Sequence, residues 1–224
     1  MTLGHGGVVP GSKTAEVGPR TDLDPFLLAP DGPAVVAIGG GHGLAAALEA
    51  VQLYAGKVTA IVSVADDGGS SGRLTEALRI PAPGDIRRCL LALTPEPSLV
   101  SELFAHRFSA GDISDHSLGN LMLAALADLF GDFGAAVSAA GRMLGAVGEV
   151  APATTVPVGL RGVVDGRAVE GQVAIAQARG RIEKIELVPP DPEPNSAALE
   201  AIAAADQIVL GPGSLFTSVI AALL

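Results

Sequence analysis

The segment AVVAIGGGHGLAAALEAVQLY, residues 34–54, carries three signals in order: an apolar β-branched run, a glycine cluster and an alanine-rich stretch of helical character. That order describes a strand, a tight turn and a helix, the repeating half of an α/β fold. The next segment, KVTAIVSVADDGG at residues 57–69, supplies a second strand that is apolar on both phases. Such a strand belongs inside a parallel sheet covered on both faces.

The pattern then turns helical. PAPGD predicts a turn at Pro83 and Gly84, with Asp85 capping a helix on which Ile86, Leu90 and Leu93 share a face. SLVSELFAHRF and HSLGNLMLAALADLF read as further helices, the second with an apolar stripe of Leu118, Leu121, Met122, Ala125, Leu126 and Leu129. From Glu149 to Val188 the period becomes that of strands: VPVGLRGVV, a DGR turn and AVEGQVAIAQA predict a β-hairpin, followed by RIEKIELVP. This is an antiparallel insert. NSAALEAIAAAD, QIVLGPGS and LFTSVIAALL then return to helix, strand with loop, and helix. Residues 1–33, rich in Gly and Pro and without a sustained period, are expected to be a disordered tail, which leaves residues 34–224 as one ordered domain.

Composition narrows the function classes. A formal net charge of −10 opposes general attraction to nucleic acid or anionic membranes, so an anionic ligand has to be held by a local site. Aromatic residues make up 3% of the chain, with no Trp and one Tyr, too few for a base-stacking platform. The single cysteine, Cys89, allows neither a disulfide framework within the chain nor a multi-cysteine zinc site, and suits a reducing compartment. Without an apolar run long enough to span a bilayer or a signal-peptide order at the N-terminus, the expected location is the cytoplasm, with no membrane insertion.

Glycine clusters follow three of the expected strands: Gly39, Gly40, Gly41, His42 and Gly43; Asp66, Asp67, Gly68, Gly69, Ser70, Ser71 and Arg73; and Gly211, Gly213 and Ser214. In a parallel sheet all three loops converge on one edge, where glycine backbone N–H groups and helix N-termini suit a phosphate. Any one loop alone is equally well explained as a tight turn. GHGLAA satisfies a loose dinucleotide fingerprint, but that fingerprint needs no GGSSGR extension after its acid.

Asp66 and Asp67 could bind Mg²⁺ together with substrate phosphates, accept a ligand hydroxyl or act as a base. Alternatively, one caps the next helix and the other pairs with Arg73. Neighbours on an extended chain point in opposite directions, so at most one of them is expected to do chemistry. For Asp85 helix capping is the favoured role. His116 and Asn120 share a helix face, with a structural histidine and a ligand contact equally matched. Cys89 reads as a small buried hydrophobe. The serines lack a nucleophile elbow, and no Walker A sequence is present.

Taken in order, VVAIGGGHGL, VSVADDGGSSGRL, PAPGDIRRCLLAL, HSLGNLMLAAL and IVLGPGSLFTSVI resemble the YvcK-like gluconeogenesis factors, relatives of the CofD-type 2-phospho-L-lactate transferases, from about Ala34 to Leu224. The resemblance implies a Rossmann-like three-layer core with a mostly parallel sheet. It also implies a cytoplasmic regulatory protein that binds a UDP-sugar such as UDP-N-acetylglucosamine and serves cell shape and growth on gluconeogenic carbon sources, with cell-wall synthesis proteins as partners. The resemblance establishes no enzymatic activity for this branch and, if there is one, implies a transferase of phosphorus-containing groups; in the transferase relatives the same loops handle a nucleoside diphosphate with Mg²⁺. The glycine-loop residues named above, with Asp85 and Asn120, are the ligand-binding positions that the resemblance implies. This chain carries His42 where many relatives have Thr, and it is expected to be C-terminally short relative to the family.

Overall fold

The structure, a computed structural model, describes residues 28–224. Its main sheet has the order β3-β2-β1-β7, formed by β1 (Ala34–Gly39), β2 (Lys57–Val62), β3 (Glu149–Pro152) and β7 (Gln207–Leu210), and every neighbouring pair is parallel. The alternation of β1 divides the core in two. Val35 and Ala37 join Leu44 and Leu48 of α1 (Gly41–Val51) and Ile86 and Leu90 of α3 (Pro83–Ala92). Val36 and Ile38 face Ala198 of α8 (Ser196–Ala203) and Ala222 of α9 (Ala221–Leu223). The sheet is therefore covered on both faces, as its two-phase apolar strands require.

Topology creates the crevice. From β1 the chain moves outward through β2 and β3, and it returns on the other side of β1 with β7. Ligand crevices in open α/β sheets open at such a reversal, beyond the strand carboxyl ends. The helices α2 (Gly69–Leu78), α4 (Leu99–Ala105), α5 (Leu118–Phe130) and α6 (Phe133–Leu144) fill the long connection between β2 and β3.

The antiparallel unit is a three-stranded sheet of order β5-β4-β6, made of β4 (Gly159–Val164), β5 (Arg167–Glu170) and β6 (Ile182–Val188). Asp165 and Gly166 at its expected turn both have positive φ, 48° and 73°, as a two-residue hairpin demands. Three sequence expectations are corrected here. Glu149 opens β3 of the parallel sheet rather than the insert, because α6 brings the chain back to run alongside β2. The second hairpin arm is cut to β5 by Gly171 at φ 96°, and QVAIAQ becomes helix α7 (Gln172–Gln177), which buries Ile175 against the side-chain-free Gly162. On α5 the buried face is Gly119, Asn120, Leu123, Ala124 and Ala127, whereas Leu129 of the expected stripe is 76% exposed. A buried Asn and a Gly lying against the Phe104 carbonyl rotate that face away from where hydropathy places it.

Residues 1–27 of the expected tail lie outside the described residues. Ala29 is buried, its N–H bonded to Ala55 O at 2.8 Å. At the other end, LFTSVI forms a π-helical turn over Leu215–Ile220 that leads into α9.

Candidate functional site

The three glycine loops meet at the carboxyl edge of the sheet. Loop one runs from Gly39 at the end of β1, and loop three begins at Gly211, whose N–H bonds Ile38 O at 2.9 Å. The two touch backbone to backbone: a Cβ on Gly43 would lie 2.2 Å from Pro212 O. Gly213 faces Gly40 O and Ser218, Ser214 accepts from Thr217 N at 3.3 Å to cap the π-helical turn, and His42 is exposed on the first turn of α1.

The first turn of α3 ties loop one to loop two. Asp85 is the third residue of α3, not its cap, because the helix begins at Pro83 with Ala82 as N-cap. Its carboxylate accepts from Gly41 N at 2.5 Å and from the Arg88 guanidinium, and the residue as a whole is 9% exposed. Asp66 lies on the other side, its Oδ2 close to where a Gly84 Cβ would project. Burial, and next the charge of Asp85, raise the Asp66 carboxyl above its ordinary range, against the Gly68 N–H, the Ser71 hydroxyl and Arg88. Asp67 points the other way and accepts from Val173 N of α7 at 2.9 Å. The adjacent acids therefore diverge as an extended chain dictates, Asp66 toward Asp85 and Asp67 toward the insert. Neither acid pairs with Arg73, whose Nη2 donates to Ser114 O at 2.9 Å.

Both α1 and α2 start on a glycine, Gly40 and Gly68, without a side-chain cap and without an acid in the first turn. The Gly41 N–H of α1 is taken by the Asp85 carboxylate and the Gly68 N–H before α2 by Asp66 Oδ1 at 3.0 Å, so an anionic ligand is left the N–H groups that follow, with the positive end of each helix. Gly69, the first residue of α2, holds φ at 47° in open space. A cleft of about 490 Å³ lies beside it, lined by Asp66, Asp67, Gly72, Arg73 and the start of β4 at Gly159.

Behind loop two lies a buried polar chain. Ser70 Oγ is 2.9 Å from His116 Nδ1, Asn120 Nδ2 donates to Ser70 Oγ at 3.1 Å, and Arg87 Nε donates to Asn120 Oδ1 at 3.1 Å. Burial, helped by the charges of Arg88 and Arg107, lowers the Arg87 guanidinium to about 10, which leaves it cationic at neutral pH. Burial, then Arg73 and Arg107, lower His116. Asn120 thus contacts Ser70 from behind the loop. Arg87 and Arg88 did not enter the expected ligand-binding set; the signal for them was an Arg pair inside IRRCLLAL, between residues that pack as core. Cys89 is buried, and burial raises its thiol, so no thiolate forms there.

No group of three or more His, Cys, Asp or Glu side chains able to hold a metal occurs among the described residues. Asp66 and Asp85 nevertheless fit an ion of the Mg²⁺ kind, which takes one or two carboxylates and completes its shell with phosphate oxygens and water. The mutual repulsion of the two acids is what a cation would relieve.

Known proteins agree with this architecture. The sequence profile of the family described as 2-phospho-L-lactate transferase CofD matches residues 35–224. A gluconeogenesis factor from Halalkalibacterium halodurans is 46% identical over 192 residues, 85% of this chain and 60% of the relative. One from Bacillus subtilis is 45% identical over 194 residues, 86% of this chain and 61% of the relative. A crystal structure of a UPF0052-family protein from Bacillus halodurans superposes with a TM-score of 0.83 at 45% identity, over 87% of this chain and 63% of the other. The chain thus spans about three fifths of the length of these relatives. With the profile matched along nearly the whole described domain and its curated relatives named gluconeogenesis factors, the chain belongs to the 2-phospho-L-lactate transferase CofD family.

Proposed function

We propose that the protein binds a nucleotide sugar of the UDP-N-acetylglucosamine kind and acts as a regulator. In this reading it works in the cytoplasm, links a cell-wall precursor to cell shape and to growth on gluconeogenic carbon sources, and acts on cell-wall synthesis proteins. The observation that carries the reading is the meeting of three glycine loops at the sheet reversal, two of them opening helices whose N-termini have no side-chain cap. A chain of net charge −10 lacks a general attraction for anions, so a diphosphate is held only by such local donors. The gluconeogenesis-factor names of the relatives add support.

Asp66 beside Asp85 favours a second reading, a Mg²⁺-dependent phosphoryl or nucleotidyl transferase, as the family description suggests. Calorimetric titration with UDP-N-acetylglucosamine, GDP and NAD, each with and without Mg²⁺, separates the readings. Saturable heat with the UDP-sugar in preference to the others is expected. Its absence would sink the regulatory reading, and Mg²⁺-dependent GDP binding would move the assignment to the transferase.

A further inference from the structure

The Asp67 carboxylate does more than diverge from Asp66. Its Oδ1 accepts from Val173 N at 2.9 Å, across 106 positions of sequence, and its Oδ2 lies 2.3 Å from where a Cβ on Gly171 would project. Gly171 is the residue on which α7 starts; it has no side chain to cap the helix, and its φ of 96° favours glycine. Asp67 therefore holds the second N–H of α7, the donor that a Ser, Asn or Asp at the start of a helix takes with its own side chain. Its charge also faces the positive end of the helix. Loop two supplies the cap that α7 lacks.

Little else holds this helix. Six residues are too few for a helix to stand alone in water, and only Ile175 is buried, seated against Gly162. Val173, Ala174, Ala176 and Gln177 are exposed. Its placement bears on the site. At its start Val173 Cγ2 comes within 3.3 Å of where a Gly68 Cβ would project, and its backbone runs beside the π-helical turn Leu215–Ile220 that follows loop three. We propose that α7 is a strap that opens and closes across the carboxyl edge of the sheet and that Asp67 is its latch: capped, α7 bridges loops two and three; uncapped, it unfolds as a unit and uncovers the edge between them. Segments with so few buried contacts are the ones that open locally. Asp67 also lines the cleft beside Gly69, so a ligand entering there meets the latch. Asp67 is a positioning residue in this role.

Hydrogen exchange of the free protein reads the latch without any ligand. The amides of Val173 and Ile175, bonded to Asp67 and to Gly171 O, should exchange together through local opening. Asp67→Ala should speed both by roughly 2- to 30-fold, the span that loss of a helix cap covers. Asp67→Asn keeps an acceptor oxygen and caps as well as Asp, so it should restore native exchange to within about twofold. The amides of β1 and β2 should be unchanged in both variants, which separates opening of α7 from a general loss of stability. Native exchange in Asp67→Ala, or Asp67→Asn as fast as Asp67→Ala, would overturn the latch. The strap is read by the association rate of a fluorescent UDP-N-acetylglucosamine analogue, an arm that rests on the nucleotide-sugar reading. Ile175→Ala leaves Asp67 and the cleft lining in place, and it should speed association by the factor by which it speeds α7 exchange. Faster exchange with a native association rate would overturn the strap. If the native protein binds no UDP-sugar, the nucleotide-sugar reading falls, and exchange still decides the latch.

Discussion

Asp85→Asn should loosen the tie between loop one and the first turn of α3 while keeping the side chain's shape. The native carboxylate gives one oxygen to Gly41 N and the other to Arg88. An amide offers only one acceptor oxygen, so one of those donors must face an NH₂ group. Breaking a buried pair by removing one partner costs about 3–5 kcal/mol. Arg88 is 24% exposed at its side chain, so water recovers part of this, and about 3 kcal/mol is expected. For a chain of this size each kcal/mol lowers Tm by about 2–4 °C, so thermal unfolding followed by circular dichroism at pH 7.5 should show a drop of about 6–12 °C. Nucleotide-sugar affinity should fall as well, because Gly41 loses its anchor. A variant that melts within about 2 °C of the native protein would refute the reasoning, since Asp85 would then not be holding loop one.

The neighbouring acid should behave oppositely. Asp66 has a carboxyl raised above its ordinary value of 3.8, so the folded protein favours its protonated form; its contribution is full below that value and is lost as pH rises through the raised one. Asp66→Asn should therefore unfold no more easily than the native protein at pH 7 and show a smaller loss of Tm between pH 4 and 7; a clear drop at neutral pH would contradict the assignment. Gly43→Ala puts a methyl 2.2 Å from the Pro212 carbonyl oxygen, a backbone contact that no rotamer relieves. A cost of about 1–3 kcal/mol is expected in urea unfolding, together with weakened ligand binding from the separation of loops one and three. Gly69→Val meets no atom within 4 Å, but it forces a β-branched residue to φ 47°, at roughly 1–3 kcal/mol of strain. A folded variant that has lost UDP-sugar binding is expected, and native affinity in that variant would leave the loop a purely structural turn.

Much of this architecture is legible in local pattern. Strands β1 and β2 announce themselves through β-branched residues on both phases, and the Asp165–Gly166 turn through its dipeptide, because both depend on short-range backbone preference. The failures share a cause. QVAIAQ carries the residues of a strand, yet Gly171 breaks the ladder and the vacancy at Gly162 gives Ile175 a place on a helix. The apolar stripe of α5 misleads because its buried face includes Asn120, which hydropathy counts as outward and hydrogen bonds hold inside.

The sequence by itself determined that this is an α/β chain, that glycine-rich loops follow its strands, and that the side chains of Asp66 and Asp67 diverge, since those features follow from neighbours along the chain. Only the tertiary structure decided that Asp66 lies toward Asp85 and Asp67 toward the insert, that Asp85 holds loop one through the Gly41 N–H instead of capping a helix, and that Ser70, Arg87, His116 and Asn120 form one buried chain. Residues 46 and 50 positions apart meet only after the sheet and helices have packed, and a buried donor then has to bond whichever acceptor the fold brings to it.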